Sequence, residues 1–245
     1  MASFVGIANR VYLAHLDMSG KAHTVNFGDV TRDMQNFTTF NDGGFTCIQP
    51  GLISATGTVE GFQDYATDAL DDEISVAQLG IQYPFSVVPA TGTAAVGDKL
   101  WFSRGILAKL NPLDGAKGDA AKMMMDLAYD TAILPGYLGH AATAVTTSAS
   151  DSGVVLTGPT ASQKLYGALH VFSFTSLTSA SIIIESDDNA GFTSATSRIT
   201  FSDVTATTSE FKSVAGSFSS ETRHRVRYTL VGSGSITFAV AFGVT

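Results

Sequence analysis

The chain has 245 residues, of which 44% are hydrophobic and only 15% charged, with a formal net charge of −8. Globular chains usually carry about a quarter charged residues. The acidic balance excludes a basic face that wraps nucleic acid, because phosphate neutralisation needs clustered Lys and Arg. A single cysteine, Cys47, excludes an intrachain disulfide and a multi-cysteine metal site, and is expected to be a small buried hydrophobe.

Abundant Gly, Thr (28) and Ser (25), with 16 Phe, predict an all-β fold with one short helix. Met1 to Leu16 holds no apolar run of signal-peptide length. No stretch approaches the ~20 apolar residues that a membrane-spanning helix needs, so no membrane insertion is expected. Strands are expected at 10–16, 24–29 and 46–60, with a turn at Asn41-Asp42-Gly43-Gly44 between the last two. Residues 62–74 form the best helix candidate, with Phe62, Tyr65, Ala69 and Leu70 on one face. Strands resume at 81–88 and 99–107. In Lys122–Tyr129, Met123, Met125 and Leu127 fit a period of two, and the glycine and proline signals on either side favour a short strand.

Residues 141–163 are almost all Ala, Thr, Ser, Gly and Val, and read as a linker or a surface strand plus linker. This predicts a domain 1–150, a linker 151–163 and a β-sandwich 164–245. Strands are expected at 165–175, 181–186, 198–202 and 211–215. From Thr222, Val226, Tyr228 and Leu230 alternate with Arg225, Arg227 and Thr229. Gly232-Ser233-Gly234 then reads as a hairpin turn. In the last strand Ile236, Phe238, Val240 and Phe242 share one face, while Thr237, Ala239, Ala241 and Gly243 leave the other small enough for close packing.

Motifs that carry chemistry are nearly absent. The five histidines show no metal-ligand spacing, no Gly-x-Ser-x-Gly elbow occurs, and no glycine pattern cradles a phosphate. Asp187-Asp188-Asn189-Ala190-Gly191 lacks the distal bidentate Glu of a calcium loop and reads as a turn. No cofactor, metal or catalytic residue is expected. Charge is distributed unevenly. Between Arg32 and Lys99 there is no Lys or Arg, whereas Asp33, Asp42, Glu60, Asp64, Asp68, Asp71, Asp72, Glu73 and Asp98 all fall there. Such a segment forms a solvated loop or a surface that repels polyanions.

Two stretches resemble a known family. The order Val11-Tyr12-Leu13, Leu16-Asp17-Met18-Ser19-Gly20, Phe37-Thr38-Thr39-Phe40, Gly43-Gly44-Phe45, Pro50-Gly51-Leu52 and Glu60-Gly61-Phe62 is similar to major tail tube proteins of long-tailed phages. Lys164-Leu165-Tyr166, Gly191-Phe192, Arg198-Ile199-Thr200-Phe201 and Phe238-Ala239-Val240-Ala241-Phe242-Gly243 look like a C-terminal sandwich appended to phage tail proteins. The resemblance implies an N-terminal tail-tube-like β-barrel or sandwich, followed by an immunoglobulin-like or jelly-roll-like antiparallel β-sandwich. It implies a structural, non-enzymatic subunit of the virion tail, built in the host cytoplasm as a homohexameric ring. Rings would stack into a conduit through which phage DNA passes without specific binding.

Partners implied are further copies of the chain, the tape measure, the tail terminator and the distal tail protein, with weak contact to host-surface glycans. Residues 24–52 would supply a stacking loop whose Phe37, Phe40 and Phe45 bury on assembly. Glu60, Asp64, Asp68, Asp71, Asp72 and Glu73 are candidates for an acidic bore. Arg223, Arg225 and Arg227 are candidates for meeting an acidic neighbour. The alternatives are a capsid decoration protein and a carbohydrate-binding virion module in which Trp101 and exposed Tyr stack on sugars.

Overall fold

A computed structural model describes residues 9–36, 48–62, 74, 78–90, 92–117 and 119–245. The described residues are β throughout, and every strand pairing named here is antiparallel. The expected helix at 62–74 lies almost wholly outside them; Phe62 ends a strand and Ile74 is buried. Cys47 and the Asn41–Gly44 turn also fall outside. The chain forms two compact units, one from 1–21, 82–104 and 133–245, the other from 22–81 and 105–132.

The first unit is organised by two long strands, β11 (Lys164–Asp187) and β14 (Arg223–Val244). They pair antiparallel from Leu165 opposite Val244 to Asp187 opposite Arg223. The expected hairpin at Gly232-Ser233-Gly234 is therefore corrected: the chain does not reverse there but continues as one strand. The expected strands 165–175 and 181–186 are likewise one element. Both strands turn a corner together. Ser176 takes φ 55° and Gly232 φ 104°, and the register slips on either side of Leu177. A Cβ on Gly234 would collide with the Thr175 carbonyl, so only glycine allows the two backbones to approach this closely. Bulges and bends of this kind let a strand pass from one layer to another.

The corner folds the β11–β14 ribbon onto itself. Leu165, Leu169, Val171, Phe238, Val240 and Phe242 from one arm share a core with Ile182, Ile184, Val226 and Tyr228 from the other. β12 (Thr196–Thr200) and β13 (Thr208–Ala215) flank β11 on its second and first arms respectively. The antiparallel sandwich read from the sequence is present, built from bent strands rather than separate hairpins.

The small-residue face of β14 is buried as well. Ala239 and Ala241 join Ala168, Tyr12, Val88, Leu100, Phe102 and Leu138 in a second core. β1 (Arg10–Leu13), β2 (Leu16–Asp17), β5 (Gln82–Val88) and β8 (Leu134–Val145) belong to this unit, with the first part of β6 (Lys99–Asp114). β8 corrects a second expectation. Leu134-Pro135-Gly136 reads as a turn, and the Ala- and Thr-rich run after it as a linker or a surface strand plus linker. The turn is absent: Leu134-Pro135-Gly136 and the start of that run form one strand paired with both β6 and β14, so the strand alternative holds for 141–145. Its small residues are required by packing: a Cβ on Gly136 or Gly139 would strike Phe242. Beyond it, β9 (Ala149–Ser150) and β10 (Val154–Val155) pair with β14, so the expected linker runs along that strand.

Three buried histidines fasten crossing segments in this unit. His170 on β11 donates from Nδ1 to the Ala14 carbonyl (2.6 Å) and accepts at Nε2 from the Ser86 hydroxyl (2.9 Å). His140 on β8 donates from Nδ1 to Asp151 (2.8 Å) and stacks on Phe238. His224 on β14 donates from Nδ1 to the Leu156 carbonyl (3.0 Å), and its Nε2 has no partner. Burial pushes both His170 and His224 down to about 4, against the opposing pull of their carbonyl hydrogen bonds. Both rings are held neutral.

The second unit is a sheet of β3 (Ala22–Asn36), β4 (Ile48–Phe62), β7 (Lys122–Tyr129) and the rest of β6, in the order β3-β4-β7-β6. β7 has the bounds and the buried positions that the period-two pattern predicts, with Met123, Met125 and Leu127 inside.

Candidate assembly surface

The second unit's sheet is two-faced, because cross-strand partners share a face and alternate residues change face. On one face Val59 pairs with Met125, and Gly57 with Leu127; Val59, Met123, Met125, Leu127 and Leu107 are fully buried. Tyr129 lies across Gly57 and Gly105 and donates its hydroxyl to the Phe27 carbonyl at 2.5 Å. The other face is polar. Thr24 and Glu60 are partners there, Thr58 donates to Asp126 (3.2 Å), and the Thr31 and Ser54 hydroxyls bond at 2.9 Å.

The apolar face does not end where its cover ends. The same alternation carries it outward along β3 and β4 to Val30, Ile53, Met34 and Ile48, which are 53–60% exposed. Leu52 beside them is 82% exposed, and Arg32 stands among them opposite Ile53. Large exposed apolar side chains grouped on one part of a surface mark an interaction site. Among the described residues the 15-residue β3 pairs only with β4, which makes it an edge strand of the described sheet. An open edge of that length is a template for another strand.

The expected site residues distribute unevenly over this picture. Glu60 lies half-buried on the polar face of β4. Asp64, Asp68, Asp71, Asp72 and Glu73 lie outside the described residues, as do Phe37, Phe40 and Phe45. Val30, Met34 and Ile48 fall within the expected stacking loop 24–52, whose described parts, 24–36 and 48–52, are strands β3 and β4 rather than loop. Sequence reading missed Val30, Met34, Ile48 and Ile53, because Arg32 between the first two and the adjacent Leu52-Ile53 pair break the apolar alternation that would have flagged them.

The arginine ladder is in the first unit, and its acidic neighbour is on the adjacent strand. Glu185 of β11, 3% exposed, accepts from Arg225 Nε (2.6 Å) and Arg227 Nε (2.9 Å). Arg225 also covers the Phe192 ring, with its guanidinium 4.2 Å from the centroid. Arg223 stands opposite Asp187. Asp187 spends its carboxylate on the Asn189 and Ser194 backbone N–H groups at 3.0 and 2.9 Å, which closes the β11–β12 turn. On the core side Arg198 pairs with Glu221 and covers Phe218. Among the described residues no group of three or more His, Cys, Asp or Glu could hold a metal ion.

No family model and no curated protein matches the chain. Several solved structures are similar to it at low identity. A chain from the virion of a native gene transfer agent particle is 16% identical over 54% of this chain and 97% of its own, with a TM-score of 0.39. The SPP1 Dit (gp 19.1) protein, described as a hub adsorption apparatus of phages infecting Gram-positive hosts, is 12% identical over 97% of this chain and 99% of its own, with a TM-score of 0.38. The SPP1 tail tube is 12% identical over 54% of this chain and 78% of its own, with a TM-score of 0.39.

Proposed function

We propose that the chain is a structural subunit of a phage-type virion tail, and that it forms the rings of the tail tube. The observation that carries the reading is the open β3 edge beside the exposed face of Val30, Met34, Ile48 and Ile53. A ring subunit needs a sheet that its neighbour can continue, together with apolar surface that becomes buried when it does. The two-faced sheet suits this role. Its apolar face packs outward and against neighbours, while its polar face, with Glu60 and Asp126, lines the bore. A bore rich in carboxylates repels phosphates, so DNA passes without sticking. The rings are hexameric and stack, meeting the tape measure, terminator and distal proteins along and at the ends of the tube.

Negative-stain electron microscopy over a concentration series tests this. The wild-type protein is expected to form rings or hollow tubes, and the double variant Met34→Asp/Ile53→Asp to remain unassembled with an unchanged melting temperature. Antibody against the protein that labels phage heads and never tails would overturn the reading in favour of capsid decoration. Tight binding of DNA at low salt by assembled tubes would remove the acidic bore from it.

A further inference from the structure

In the first unit, the start of β6 and the start of β8 build a small aromatic groove that the assembly reading does not use. Lys99 stands opposite Tyr137, and Trp101 opposite Pro135. The intervening Leu100 and Phe102 are buried in the second core, so these four side chains share the opposite face, where Tyr137 packs beside Phe242 at the margin of the first core. Leu156 and Val244 close the far side, giving a cavity of about 310 Å3. That is the low end of the roughly 300–1,000 Å3 range of small-ligand sites, and too small for a folded partner's surface.

Trp101 is the chain's one tryptophan and is 47% exposed. Core packing does not account for an indole that stands half in water at the margin of that core. The polar groups around it share one character. Among the described residues, neither the Trp101 indole N–H, the Tyr137 hydroxyl nor the Lys99 ammonium takes part in a hydrogen bond or ion pair. Indole and ammonium are donors only, and a phenol donates as well as accepts. No carboxylate lines the groove. The complement is a compact ligand with one apolar flat face, a rim rich in acceptors and a negative charge. A pyranose presents axial C–H groups to an aromatic plane and hydroxyls at its rim, and a uronic acid adds the carboxylate. A peptide fits less well, because its N–H donors would find only the tyrosine hydroxyl as a side-chain acceptor.

We propose that this groove is a saccharide site, in which a pyranose bearing a carboxylate stacks on Trp101, with Tyr137 bonding a ring hydroxyl and Lys99 meeting the acid. The site is independent of whether the protein forms tubes.

The lone tryptophan makes the test direct, since its emission reports this groove and nothing else in the chain. Glucuronic acid, galacturonic acid, galactose and N-acetylglucosamine are titrated into the full-length protein while its fluorescence is followed. The uronic acids are expected to shift the emission saturably with Kd of about 1–10 mM, and galactose to bind about two- to fivefold more weakly, the range of an exposed ion pair. Lys99→Ala, at an exposed position, is expected to erase that preference while leaving neutral-sugar binding intact. Trp101→Ala, followed by saturation-transfer NMR and checked for folding by its melting temperature, is expected to weaken every sugar by about tenfold. If no sugar gives a saturable response, or if uronic acid binding survives Trp101→Ala in a folded protein, the proposal is wrong. If a proline-rich peptide shifts the emission and the sugars do not, the groove is a peptide site and the saccharide assignment is overturned.

Discussion

The two units solve the burial problem differently. In the first, the β11–β14 ribbon closes on itself and uses both of its faces, so Phe238 and Ala239, adjacent in sequence, enter different cores. In the second, an apolar face starts under cover at Val59 and Met125 and runs out into solvent at Val30 and Met34. The first unit completes its interior within the chain. The second leaves Val30, Met34, Ile48 and Ile53 facing solvent. On the proposed function, the exposed apolar area of the second unit is the part a neighbour would cover.

This contrast predicts where substitutions act. The largest loss of stability is expected at the corner. Gly234→Ala drives a methyl into the Thr175 carbonyl, and backbone cannot move aside as a side-chain tip can. A loss of about 3 kcal/mol or more is expected, read from the urea midpoint.

Next comes pH. His170 and His224 titrate near 6.5 when unfolded and are held down to about 4 when folded. Between those values the unfolded chain binds protons that the folded one refuses. Stability is full above pH 6.5, falls as pH drops towards 4 and levels off below, by up to roughly 3 kcal/mol per histidine. Urea titrations across that window check the sign, and His170→Gln is expected to flatten the slope.

Glu185→Gln should cost less, roughly 2 kcal/mol, because it leaves Arg225 and Arg227 without their shared anion while both guanidiniums keep partial access to water. Thermal unfolding reads it. The smallest effect on stability is expected from Met34→Asp, within about 0.5 kcal/mol, although it should abolish assembly seen by light scattering. A Met34→Asp protein that assembles normally would dissolve the contrast between the units.

Much of the fold was legible in local pattern. The alternation of Met123, Met125 and Leu127 located β7, and that of Ile236 to Phe242 separated a large face from a small one. What stayed hidden depended on partners distant in sequence. Gly232-Ser233-Gly234 serves a chain reversal or a bent strand equally well, and the choice is made by Ser176 and Leu177 across the ladder. Leu134-Pro135-Gly136 has turn chemistry, yet proline is tolerated near the start of a strand and the glycine answers to Phe242. The same misreading concealed the groove. Trp101 stood out as the lone tryptophan, but its companions Pro135 and Tyr137 become neighbours only once β8 is recognised as a strand. The arginine ladder was visible, whereas Glu185 beside it required the β11–β14 register.

The shared corner also has a mechanical consequence. Because β11 and β14 each run through both layers, the sandwich has no seam along which one layer peels from the other. A pull along the chain from Asp187 towards Lys164 would load the ladder in shear, with all its rungs strained at once instead of unzipping in turn. Such a ribbon yields abruptly at high force.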